Sequence, residues 1–456
     1  MTTYTSATDD DRKEMLAAIG VDSIDALFAD IPADLRLTAP LELGPGLAEQ
    51  EVYDELRALA ARNVSTEDEV SFLGAGMYDH YVPALIDSIT SRSEFLTPYT
   101  PYQPEVSQGG LQAMFEYQTA ICELTGLPVS NASVYEGPSA VAAAGYVAKY
   151  TNGRGKFVIS RGVHPHSRET LRTHAHAWGM EVIEAPLKDG VTVLPELGDD
   201  VSAVIVQQPN FLGAVEDLEA VSSAAHEAGA LSICACDPLP LSLLRSPGEC
   251  DVDIAVGEGQ TLGNRLDFGG PSFGFFATSQ ALLRRIPGRI SGETRDADGK
   301  RGFVLTLQTR EQHIRREKAT SNICTAQALN ALAGVIYLSW LGRRGITELT
   351  ELMLQRTAYA RERLAALDGV ELLHEQPVVR EFAVALDAPV EAVMKRCLEQ
   401  GINPGYPLGA DYPEHENGLL VAITERRTRA EIDRLVEVLG RAVAAERGRA
   451  LQGVGA

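Results

Sequence analysis

Between residues 156 and 256, short apolar runs alternate with amphipathic stretches, and few folds accept that order. The runs are Lys156 to Ser160, Glu181 to Ala185, Ala203 to Gln207, Leu231 to Ala235 and Ile254 to Val256. Helix-period segments, Arg168 to Gly179 and Leu218 to Gly229, lie between several of them. A strand covered on both faces reads as a continuous apolar run, and strands joined by crossover helices lie parallel. The expected fold class is α/β, a mainly parallel sheet with helices on both faces.

The flanks have a different character. Asp11 to Ile19, Ser23 to Phe28 and Leu47 to Ala61 carry helix-spaced apolar residues between Pro- and Gly-containing breaks. Thr66-Glu67-Asp68-Glu69 has the form of a capping box. Pro98, Pro101 and Pro104 remove any helix period from the stretch 94–110 and hold it extended or turning. A helix is expected from near Gly110 to about Leu124, and a buried one over Ala326 to Leu341. Val379 to Leu386 and Gly418 to Ile423 read as strands. Thr428-Arg429-Ala430-Glu431 reads as the capping box of a last helix with one apolar face. The division expected is a helical segment 1–65, a large α/β domain 66–325, a connecting helix 326–350 and a small α/β domain 351–456.

Bulk composition removes several function classes. A chain of 456 residues with 45% hydrophobic content builds large cores without staples. A net charge of −23 argues against nucleic acid or an anionic membrane as a main partner. The six cysteines are scattered, with no C-x-x-C, so free thiols and no metal site are expected. Cys234 and Cys236 are read as facing opposite sides of their strand. The N-terminus lacks the basic and apolar regions of a signal peptide, and no run is apolar enough to span a bilayer. A cytoplasmic location is the expectation.

The familiar catalytic motifs are missing or off register. Gly257-Glu258-Gly259-Gln260-Thr261-Leu262-Gly263 misses the dinucleotide fingerprint by one residue and lies deep in the α/β region. There is no G-x-S-x-G elbow. His164-Pro165-His166 and His174-Ala175-His176 read as a loop and a solvated helix start. Lysines stand at 13, 149, 156, 188, 300, 318 and 395, leaving none between 188 and 300.

Several long motifs resemble one family. Ser71-Phe72-Leu73-Gly74-Ala75-Gly76-Met77-Tyr78-Asp79-His80-Tyr81 is similar to a stretch of subunit 1 of glycine decarboxylase, the split P-protein of the glycine cleavage system. The same holds for the segments 99–109, 131–137 and 256–260, and for Arg310 to Cys324. The likeness runs from about residue 4 to 445. It implies the type I pyridoxal-phosphate fold of aspartate aminotransferase, with a large α/β domain and a smaller C-terminal one. It implies pairing with a homologous subunit 2, usually as α2β2, which carries pyridoxal phosphate on a Schiff-base lysine. The pair would decarboxylate glycine and pass the aminomethyl group to the lipoyl arm of H-protein.

Gln260-Thr261-Leu262 stands where that lysine is expected, and Thr261 offers no primary amine to bind the cofactor covalently. Asp237 resembles the residue that meets the pyridine nitrogen, although a loop role suits it better without the lysine. Ser133, Tyr135 and Glu136 stand where catalytic relatives bind phosphate, and Glu136 would repel one. Tyr99, Tyr102, Gln103, Glu105 and Gln108 are the candidates for completing the partner's site or guiding its substrate; the alternative is a loop whose polar groups only satisfy each other. Arg315, Arg316, Lys318, Thr320, Ser321 and Asn322 are interface or anion-contact candidates, with helix capping as the alternative. Two other roles stay open at this point: a pure scaffold, and a self-sufficient enzyme using Lys188 or Lys300.

Overall fold

The computed structural model describes residues 6–37, 39–97, 100–319, 323 and 327–453, and the chain forms two compact units, Met1–Val64 and Ser65–Ala456. The first unit holds the helices Asp9–Ile19 and Glu49–Ala60, with a 3-10 turn at Asp25–Phe28.

The second unit is built on seven strands: β1 (Val129–Ser130), β2 (Lys156–Ser160), β3 (Glu181–Ala185), β4 (Val201–Gln208), β5 (Leu231–Cys236), β6 (Ile254–Glu258) and β7 (Gly274–Thr278). Their order is β1-β7-β6-β5-β4-β2-β3. The pairs from β6 to β3 are parallel, and β7 runs antiparallel to both its neighbours. Helices α1 (Gln108–Thr125), α2 (Gly137–Asn152), α3 (Pro165–Ala177) and α4 (Leu218–Glu227) cover the sheet.

Successive strand residues go to opposite layers, which is why the strands read as continuous apolar runs. Val158, Val204, Cys234 and Ala255 pack with residues of α1 and α4. Phe157, Ile205, Ile233 and Val256 pack with residues of α2 and α3. Cys234 and Cys236 share the first of these layers, contrary to expectation. Residues two apart on a strand point the same way, so the reading of opposite faces was wrong on geometry.

Helix α5 (Ala328–Ala365) follows, interrupted at Gly342, whose φ of 62° and ψ of 178° leave the helical region. The C-terminal part is an antiparallel sheet of β8 (Val370–Leu372), β9 (Glu381–Leu386), β10 (Tyr406–Pro407) and β11 (Gly418–Ala422), in the order β8-β9-β11-β10. Helices α6 (Val390–Leu398) and α7 (Arg429–Gly453) share its core. Thr428 and Glu431 exchange the two hydrogen bonds of the expected capping box, at 2.6 and 3.2 Å. Val70–Ser71 pairs in parallel with Ile402–Asn403, so the segment after it runs beside the C-terminal sheet.

Two local expectations needed correction. Ser65, not Thr66, makes the reciprocal contact, to Asp68 at 2.7 Å, and it closes a turn rather than starting a helix. The proline-rich stretch is not wholly extended. It contains the short helix Ser93–Leu96 and a 3-10 turn at Pro104–Val106, and α1 starts at Gln108. Proline fits the first position of such a turn because its fixed φ suits it and its missing N–H is not needed there.

Candidate active-site cleft and the loop beside it

A cavity of about 550 Å³ opens at the carboxyl ends of β4, β5 and β6, against the N-terminus of α2. That is where open α/β sheets bind ligands. Its wall includes Tyr78, His164, Asp237, Glu258, Thr261 and Arg380. Gly257 lets the strand end approach closely: a Cβ there would lie 2.2 Å from the Cys236 carbonyl oxygen.

The N-terminus of α2 is already filled by acid groups. Glu136, the residue before the helix, accepts from the Ser139 N–H at 3.0 Å and from the Ser139 hydroxyl at 2.6 Å. Glu258 accepts from the Gly137 N–H at 3.0 Å and the Gln260 N–H at 3.1 Å, and the Ser272 hydroxyl also donates to it. Burial raises the Glu258 pKa above the usual carboxylate range. Two carboxylates thus use the donors that a helix N-terminus offers to an anion.

Opposite them lies a network that joins the segment 75–81 to the C-terminal sheet. Arg380, 3% exposed, pairs with Asp237 and donates to His80 Nε2. Its guanidinium carbon sits 3.5 Å from the centroid of the Tyr78 ring, in cation–π contact. The Tyr78 hydroxyl donates to Glu381 Oε2 at 2.7 Å, and the Ala75 N–H donates to Oε1 at 2.8 Å. Burial pushes the Glu381 carboxyl up to about 7. His80 Nδ1 lies 2.6 Å from Glu425, and Asp79 pairs with Arg426 and Arg427.

His164 closes the floor. Its Nε2 lies 2.9 Å from the Ala75 carbonyl oxygen, and its Nδ1 accepts from the His166 N–H at 3.1 Å. Burial lowers its pKa to about 4, so it stays neutral as the Nε2–H tautomer. His164 lies in the loop before α3, as expected, and caps that helix from inside the cleft, whereas His174 and His176 stand in the last turn of α3 and not at a helix start.

The family model described as glycine cleavage system P-protein matches residues 2–439. The chain belongs to the P-protein family. It is 51% identical to probable glycine dehydrogenase (decarboxylating) subunit 1 of Geobacillus kaustophilus, over 96% of this chain and 98% of that protein. The Bacillus subtilis protein of the same description is 48% identical with the same coverage. An inhibitor-bound crystal structure of glycine decarboxylase (P-protein) superposes with a TM-score of 0.86 at 44% identity, covering 97% of this chain and all of that one. The Escherichia coli cysteine desulfurase CsdA, 15% identical with a TM-score of 0.62 over 84% of this chain and 96% of its own, shares the fold. This P-protein chain is thus a subunit of the enzyme that decarboxylates glycine, and it has the type I pyridoxal-phosphate fold.

The cleft of this P-protein chain does not fit that cofactor. A phosphate would meet Glu136 and Glu258 at the helix N-terminus. Thr261, in the expected lysine position, is 2% exposed, and its hydroxyl has no hydrogen-bond partner. Asp237 is engaged by Arg380 and accepts from the Leu239 N–H at 3.3 Å.

The other candidates from the sequence lie elsewhere. Tyr102 and Gln103 line a second cavity of about 860 Å³, between the proline-rich loop, α1 and the start of α5. Tyr102 is 45% exposed; Arg289 donates to its hydroxyl at 3.0 Å, and the His313 ring packs edge-on at 5.4 Å. Glu105 is exposed on the 3-10 turn. Gln108 is exposed but spends its amide on the chain, donating to the Pro104 and Phe303 carbonyls and accepting from the Phe303 N–H. Arg315, Arg316 and Lys318 are exposed around a short helical turn. Tyr99, Thr320, Ser321 and Asn322 lie outside the described residues.

Tyr78, Arg380 and Glu381 were not singled out from the sequence, and His164 was read only as part of a loop. Only Tyr78 lay within a family-like motif; nothing local marks Arg380 and Glu381 as its partners across some 300 positions.

Proposed function

We propose that this chain works with a catalytic partner subunit that holds pyridoxal phosphate, and that it supplies surface and orienting groups rather than the cofactor. The observation that carries this reading is the filled helix N-terminus: two carboxylates and a lysine-less strand end leave this cleft unfit for the cofactor of its own enzyme. The chemistry of that cofactor, electron withdrawal as the carboxylate leaves, then belongs to the partner. The aminomethyl group passes on to the lipoyl arm of H-protein.

The proline-rich loop is the part best suited to meet the partner's site. Tyr102 and Gln103 present a ring, a hydroxyl and an amide on exposed residues, and Pro101 and Pro104 limit the entropy lost in holding them. Beside the loop runs an apolar groove with Leu85, Phe95 and the 53%-exposed Trp340. Contiguous exposed apolar surface marks contact surfaces. In this reading Tyr102 and Gln103 orient the substrate or the lipoyl arm, and Arg315, Arg316 and Lys318 meet anionic groups of the partner.

Substituting Tyr102→Ala and Gln103→Ala in the reconstituted complex tests this role. Glycine–bicarbonate exchange should fall roughly tenfold or more while co-assembly is unchanged. Full exchange in both variants would reduce the chain to a scaffold.

A further inference from the structure

Two charged side chains are buried beside the exposed ring of Tyr102. Arg289 is 4% exposed and Glu311 6% exposed, and their charged groups pair at 3.8 Å. A buried ion pair is a poor stability device, because the cost of taking both charges out of water offsets their attraction. What this pair does is grip a residue of the proline-rich loop. Arg289 Nη2 donates to the Tyr102 hydroxyl at 3.0 Å, and its guanidinium carbon lies 5.6 Å from the centre of that ring. The His313 ring packs edge-on against the same ring. Its Nδ1 lies 3.7 Å from Glu311 Oε2, the oxygen that also meets Arg289. One carboxylate thus ties both of the side chains that hold Tyr102.

Arg289 is rigidly mounted. Its carbonyl accepts from the Ala132 N–H at 2.8 Å, and it immediately precedes a hairpin of Ile290–Arg295 and Arg301–Thr306. Gln118 of α1 fixes the start of that hairpin, donating to the Ser291 carbonyl at 3.0 Å and accepting from its N–H at 2.8 Å. A guanidinium has N–H donors and no acceptor. The Tyr102 hydroxyl therefore spends a lone pair on Arg289 and keeps its own proton, and Tyr102 lines the cavity of about 860 Å³.

We infer that Arg289, braced by Glu311, is a positioning residue for glycine decarboxylation: it fixes the Tyr102 ring and leaves the hydroxyl proton for an acceptor entering that cavity, the carboxylate of the amino-acid substrate. This rests on the reading above that Tyr102 orients the substrate.

The test is a double-mutant cycle in the reconstituted complex, with kcat and KM for glycine read from glycine–bicarbonate exchange. Arg289→Met with Glu311→Gln removes both charges, so neither is left buried alone. Arg289→Lys keeps Glu311 paired and guards against a folding defect. Each is combined with Tyr102→Phe, which removes only the hydroxyl. The expected result is a KM for glycine raised roughly tenfold by Tyr102→Phe and by the Arg289/Glu311 variant, with kcat held within about threefold and no further rise when the two are combined. Arg289→Lys, which lacks the planar fork, should raise KM roughly threefold, again only while Tyr102 is present. Effects that multiply in the combined variants overturn the inference, since Arg289 then acts without Tyr102. So does an unchanged KM in both Arg289 variants while Tyr102→Phe raises it. Unchanged exchange in Tyr102→Phe and Tyr102→Ala strikes instead at the reading of Tyr102 as an orienting group, and the inference falls with it.

Discussion

The cleft at the strand ends and the loop beside it are both polar, yet they are polar in opposite ways. In the cleft, Arg380 is held by Asp237 and His80, Glu381 by Tyr78 and Ala75, and Glu258 by Gly137, Gln260 and Ser272. These groups are spent on one another, and the Thr261 hydroxyl is left without a partner. In the loop, Gln103 and Glu105 are exposed, and Tyr102 keeps nearly half its surface open. A site position at the end of a sheet therefore does not identify a working site. What matters is whether its polar groups are left for a ligand. In the division of labour proposed above, the cleft at the strand ends is an internal brace, and the exposed polar groups lie at the rim.

If that contrast is right, the largest stability effect belongs to the cleft. Arg380→Ala leaves the half-buried Asp237 without its cation and the buried His80 without its donor, at a cost of about 3 kcal/mol, readable as a fall in Tm. Tyr102→Ala and Gln103→Ala should move Tm little and act on exchange alone. A Tyr102 variant as unstable as Arg380→Ala would erase the distinction.

A second consequence is pH dependence from Glu381. Its folded pKa of about 7 lies above the ordinary value of 4.5, so the folded state holds the proton more tightly. Stability from this group is full below about 4.5 and is lost as pH rises towards 7. Glu381→Gln keeps an amide in place of the protonated acid. Denaturant titrations should show the variant more stable than wild type at pH 8 by about 1–3 kcal/mol, with the slope between pH 5 and 7 flattened. Equal slopes for both proteins would remove Glu381 as the cause.

A third probe sharpens the claim that the cleft rejects the cofactor. Thr261→Lys restores an amine but not the phosphate position, so the isolated variant with pyridoxal phosphate should show no stable protein-bound absorbance. Adding Glu136→Gly and Glu258→Gln should raise cofactor affinity above that of Thr261→Lys alone. Tight binding by the single variant would show that the two carboxylates do not block the site.

Sequence reading reached the parallel strands because each is buried on two faces and so is apolar throughout, as in Val201–Gln208. It missed β1, only two residues long, and β7, whose antiparallel pairing to both neighbours has no local signature. The missing lysine was legible as a gap in the lysine positions. The Arg380–Asp237 and Tyr78–Glu381 contacts were not, since long-range pairing leaves no periodic trace. The burial of His164 was not legible either, because it comes from Ala75 and Phe211, far away in sequence.

The division of labour between chains is tested most directly by glycine–bicarbonate exchange with lipoyl H-protein and pyridoxal phosphate, run on this chain, on the catalytic subunit and on their mixture. Robust exchange in the mixture and none with this chain alone is the predicted result. Exchange by this chain alone would contradict the account and return the chemistry to its own cleft.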